Sequence, residues 1–163
     1  MRDNARLEIP GNVGERLLLT LWVGGLWTIG YVVAPSLFYT LDDRQLAGAI
    51  AGRLFTVISY IGLACAALLL LGAWFRLGRE IWRSWRAWSV LAMLALVLIG
   101  HFGLQPLMAE LKLSGLVAGS ESALRFGRLH GISSVLYLLN SILGLLLVAA
   151  SGSTAAAGRI QGR

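Results

Sequence analysis

Four long apolar stretches, residues 17–39, 54–74, 88–107 and 129–150, fill most of this 163-residue chain and decide its solvent before any motif is considered. Each is close to the roughly 20 apolar residues that a helix needs to cross a ~30 Å hydrocarbon core. Inside that core the backbone finds no water, so every amide must be satisfied within the protein. The chain therefore reads as all-α, an integral membrane four-helix bundle, with short links favouring an antiparallel up-down topology.

Composition agrees. Hydrophobic residues make up 57% of the chain and charged residues 13%, against roughly 25% charged in an ordinary soluble domain. The net charge of +6 sits in short segments flanking the apolar runs, where no folded basic face can form. Nucleic acid is thus not an expected partner. The expected partner is the lipid bilayer, with a second copy of the chain or another membrane protein as further possibilities. The one cysteine, Cys65, lies inside the second run and excludes an intramolecular disulfide.

The first apolar run is preceded by Asp3, Glu8 and Glu15 among arginines and is too long for the apolar region of a cleavable leader, so it reads as a retained membrane helix. The organisation expected is a cytoplasmic segment over 1–16, a transmembrane domain over 17–150 and a disordered cytoplasmic tail over 151–163, with neither a soluble second domain nor a tandem repeat. Four spans place both termini and the 76–86 link on one side. That side carries nine of the cations and the other five, so the positive-inside rule puts both termini in the cytoplasm of a bacterial inner membrane. Trp74, Trp82, Trp85 and Trp88 bracket the 76–86 link and read as an interfacial aromatic belt, with its arginines reaching phosphates. Small residues spaced four apart, Gly48 with Gly52, Gly62 with Ala66 and Gly127 with Gly131, predict close helix approach.

In this threading the unusual polar residues fall in the external half. Arg53 lies early in the second span, His101 late in the third, and Arg128, His130, Ser133 and Ser134 open the fourth. His130, Ser133, Ser134, Tyr137 and Ser141 follow helical spacing and predict one polar face turned into the bundle, away from lipid. The six residues Arg53, His101, Arg128, His130, Ser133 and Ser134 are the candidate ligand-binding set. None is expected to be catalytic, because no acidic residue lies inside any span to complete an acid–base arrangement. Two imidazoles on different helices also suit axial ligation of haem b or a shared copper ion, with an arginine for propionates. The chain has only these two histidines and no Cys-x-x-Cys-His or Glu-x-x-His to support that chemistry.

The run from Phe126 through Gly127, Arg128, Leu129, His130, Gly131 and Ile132 to Ser133 and Ser134 resembles the signature of the transmembrane protein 205-like family, also called domain of unknown function 4149. Trp22-Val23-Gly24-Gly25, the segment from Ala34 and Pro35 to Phe38, Ala47-Gly48, and the segment from Gly52 to Phe55 resemble the same family's first two helices. The resemblance implies a four-helix integral membrane protein with no defined reaction. It also implies an asparagine two turns after His130, where this chain has Tyr137, with Asn140 one turn later. A more distant likeness in architecture to copper-resistance and protoporphyrinogen-oxidase-type proteins is an analogy toward haem or copper. Two classes of function follow: a non-enzymatic transport component or accessory membrane subunit, and a haem- or copper-binding redox protein using His101 and His130.

Overall fold

The structure is a computed structural model that describes residues 13–113, 115–117 and 119–160. It is helical throughout, with no strand among the described residues. The helices are α1 (Val13–Trp27), α2 (Ala34–Thr40), α3 (Arg44–Leu77), α4 (Trp85–Leu98), α5 (Gln105–Leu113) and α6 (Glu121–Ile160). π-helical segments join α1 to α2 (Thr28–Val33) and α4 to α5 (Ile99–Leu104), and a 3₁₀ turn over Gly78–Arg83 follows α3. Four stretches are long and apolar enough to cross a membrane: Val13–Thr40, Arg44–Arg83, Trp85–Leu113 and Glu121–Ala150. These are spans 1 to 4, and the chain is a multi-pass membrane protein. Of the expected N-terminal segment, residues 1–12 lie outside the described residues, as do 161–163 of the tail; α6 itself runs to Ile160.

Local chemistry sets the turns. Asp43 caps α3 by accepting from the amides of Gln45 and Leu46 at 2.8 and 3.0 Å, and Ser84 caps α4 through Ala87. Such caps satisfy amide donors that the first turn of a helix leaves open. Gly78 ends α3 at φ 52°, in the left-handed region where a side chain would be strained.

The core forms where the four spans meet. Trp22, Met93 and Ala66 have no measurable exposure, and Leu19, Leu26, Ile58, Cys65, Val97 and Leu147 pack around them. α1 contacts α3, α3 contacts α4, α4 contacts α6 and α6 returns to α1, so the spans form a closed ring of neighbours. Lipid gives helices no hydrophobic reason to associate, so close packing has to hold them. Gly62 accepts the Trp22 indole, Gly25 the Ile58 side chain, and Gly144 the Val23 and Met93 side chains. Among the described residues, a side chain added at Gly52, Gly127 or Gly131 would meet nothing within 4 Å. Of the three small-residue pairs, Gly62 with buried Ala66 makes the tight contact; Gly127 with Gly131 does not.

Glu15 ties three spans at one end. Its carboxylate meets Arg76 at 3.0 Å and Arg86 at 3.2 Å, and its side chain is only 13% exposed. Two of the arginines read from sequence as reaching lipid phosphates therefore hold the start of span 1 against the end of span 2 and the start of span 3. The tryptophans beside them are exposed, as an interfacial belt requires.

Candidate functional site

The two π segments arise from proline. Pro35 and Pro106 bring no N–H, and each ring presses on the carbonyl four residues earlier, so a helix carrying them must widen or kink. Both helices widen at the same place: the amide before each proline, on Ala34 and on Gln105, donates five residues back, to Ile29 and to Gly100. A widened turn frees backbone carbonyls that neighbouring helices must satisfy, which is why such segments collect polar contacts inside membranes.

At the first segment the partner is Tyr137 of α6. Its hydroxyl donates to the Leu26 carbonyl across the span 1 and span 4 interface, and its ring lies on Gly30, where any side chain would overlap it. Tyr31 and Phe55 meet the same ring edge-on at 6.1 and 5.3 Å. One turn further along α6, Asn140 and Ser141 are 3% and 1% exposed. Ser141 donates to the Tyr137 carbonyl, while Asn140 Oδ1 is buried with no hydrogen-bond partner among the described residues.

At the second segment the partners come from span 2. Gln105 Nε2 donates to Thr56 Oγ1 at 3.3 Å and to the Gly52 carbonyl at 3.4 Å, and Thr56 also donates to that carbonyl. His101 lies inside the segment, half-buried, with its ring edge-on to Tyr60 at 5.0 Å. Its Nδ1 is buried and has no hydrogen-bond partner among the described residues.

The six candidate residues are not gathered into one pocket. Among the described residues, no hydrogen bond between two side chains, ion pair or ring contact joins any two of them. Arg53, Arg128, His130 and Ser134 are exposed, and Ser133 and His101 are half-buried. Ser134 Oγ donates to the His130 carbonyl of its own helix. The His130 ring stacks on Phe126 one turn back, centroids 6.0 Å apart and planes within 7°, and Lys112 Nζ stands 5.5 Å from the Phe126 centroid. The inward stripe of α6 runs instead through Ser133, Tyr137, Asn140, Ser141 and Gly144. Helical spacing aligns Ser133, Tyr137 and Ser141 on that stripe, while the neighbour opposite His130 is set by tertiary packing.

The same disposition tests haem b and copper. His101 stands at the span 2 and span 3 interface, whereas His130 lies outward on α6 against Phe126, which does not fit a pair of axial ligands. Among the described residues no three His, Cys, Asp or Glu side chains converge as a metal site.

Sequence reading missed Tyr60 and Thr56 as partners and named Asn140 without placing it in the interior. The available signal was proline inside two apolar runs, together with Asn140 as the one amide deep in the last run.

A protein-family model described as a domain of unknown function, DUF4149, matches residues 17–117. The chain belongs to that family. The match covers both π segments and the His101 site and ends before α6, so the run from Phe126 to Ser134 lies outside the matched part of this DUF4149 chain. No curated protein and no solved structure matches it.

Proposed function

We propose that this DUF4149 protein is a non-enzymatic component of a bacterial inner membrane, an antiparallel four-helix bundle with both termini cytoplasmic, that binds a small polar molecule or ion for transport or on behalf of a partner membrane protein. The carrying observation is His101, whose Nδ1 is buried without a partner inside a π-helical turn. An ionisable side chain within a span is costly and is a functional-site candidate for that reason. An unsatisfied ring nitrogen beside widened backbone is a place where a ligand completes the hydrogen bonding. Thr56 and Gln105 supply further donors and acceptors one turn away, and Asn140 offers a second unsatisfied acceptor in the interior. Of the six residues read from sequence, His101 and Ser133 face the interior in this proposal, and His130 acts as an outer-surface residue.

The deciding experiment is native mass spectrometry of protein extracted from membranes, with an absorption spectrum and elemental analysis of the same sample. A non-lipid small-molecule adduct on the wild type that is lost in His101→Phe and kept in His130→Ala is the expected result. Identical spectra for wild type and His101→Phe would remove His101 from the site. A Soret band or stoichiometric copper would replace this reading with the redox one.

A further inference from the structure

The two halves of the chain match each other although the sequence shows no obvious repeat. Laying Pro35 on Pro106 carries the π segment Thr28–Val33 onto Ile99–Leu104 end to end. It also carries Leu19, Trp22 and Leu26 of α1 onto Val90, Met93 and Val97 of α4, all buried. Laying Gly52-Arg53-Leu54 on Gly127-Arg128-Leu129 carries Cys65, Ala66 and Leu69 of α3 onto Asn140, Ser141 and Gly144 of α6, again all buried. The two shifts differ by a few residues, and the link between Leu113 and Glu121 is longer than that between Thr40 and Arg44 by that much. Exchanging spans 1 and 2 with spans 3 and 4 also preserves the ring of contacts. In both halves a second-helix side chain meets the π segment of the opposite half: the Tyr137 ring against Gly30 of span 1, and the Tyr60 ring against His101 of span 3, with Thr56 bonding Gln105 just beyond that segment.

This correspondence makes Arg53 and Arg128 equivalent. Each follows a glycine and is the last charged residue before a long run: the next are Arg76 and Arg159. Both are exposed, and among the described residues neither has an ion-pair partner. A guanidinium at the edge of an apolar helix, facing outward, reaches along the helix to the headgroup level, where its planar fork matches a phosphodiester.

We infer that the protein is a duplicated two-helix hairpin and that Arg53 and Arg128 are its two equivalent binding sites for phospholipid phosphate, one on each half, both on the side of the Leu41–Asp43 turn. Glu15 has no counterpart in the second half, where Gly–Arg equivalence is kept but the carboxylate position falls on Arg86, so the lipid sites and not the ion-pair clamp are the repeated feature.

The test uses the full chain in detergent titrated with phosphatidylglycerol and followed by native mass spectrometry, with thermal unfolding of each variant as a folding check. Wild type should retain two lipids, Arg53→Gln and Arg128→Gln one each, and the double variant none, while Arg125→Gln keeps both. Arginine-to-lysine variants should bind with intermediate occupancy. Unchanged lipid binding in the single variants overturns the proposal, and so does loss confined to one arginine, which breaks the equivalence. Displacement of the lipid by inorganic phosphate at equal concentration would overturn the headgroup as the occupant.

Discussion

The Tyr137 hydroxyl donates to the Leu26 carbonyl, closing the ring of spans by a bond from the fourth back to the first. The bond exists because Pro35 widens the turn that follows Leu26, and because Gly30 leaves room for the tyrosine ring.

Tyr137→Phe is expected to keep the ring packing and lose that bond. Interhelical hydrogen bonds in membranes average ~0.6 kcal/mol and reach about 1.7. Here the acceptor is a backbone carbonyl at the end of α1, next to the widened turn, so a loss toward the upper value is expected in reversible unfolding from bicelles. Stability equal to wild type would show that the carbonyl is satisfied without the tyrosine.

Gly62→Leu and Gly131→Leu separate two glycines that look alike in the sequence. A side chain at Gly62 runs into the Trp22 indole at the centre of the core, and overpacking of this kind costs roughly 1–3 kcal/mol or more. Gly131 faces open space. Membrane abundance and detergent melting should fall for Gly62→Leu and stay near wild type for Gly131→Leu; the reverse order would contradict the packing described.

Glu15→Gln removes the charge shared by Arg76 and Arg86. Exposed pairs contribute roughly 0.2–1 kcal/mol each, and the carboxylate is only 13% exposed, so a combined loss of about 1–2 kcal/mol is expected. A double-mutant cycle with Arg76→Gln measures the pairwise part, and a coupling of zero would demote the clamp to a surface contact.

Fusion of topology reporters after Arg79 and after Ser120 checks the proposed orientation. Cytoplasmic activity is expected for the first and external activity for the second. The opposite pattern would move the Arg53, His101 and Arg128 sites to the cytoplasmic half.

His101→Phe should leave the Tyr60 edge contact in place as a ring pair while removing the unsatisfied nitrogen. Melting within a degree or two of wild type, with loss of the adduct, would mark His101 as a binding residue; lost melting would mark it as a packing residue.

The spans were legible in the sequence because hydropathy is additive along the chain: an apolar run of sufficient length needs no partner to declare its solvent. The same holds for Arg53 and Arg128 at the edges of their runs and for proline within spans 1 and 3, where a missing N–H is a property of the residue itself. Tertiary structure alone decided which polar residues meet. Helical periodicity put His130 and Ser133 near one face, but only the placement of neighbouring helices leaves the first exposed and the second half-buried. Glu15 found Arg76 and Arg86, and Gln105 found Thr56, because the spans return beside one another, bringing together residues far apart in sequence. The halves correspond through buried positions and widened turns with few identical residues, since packing constrains size and backbone geometry at each site more tightly than it constrains identity.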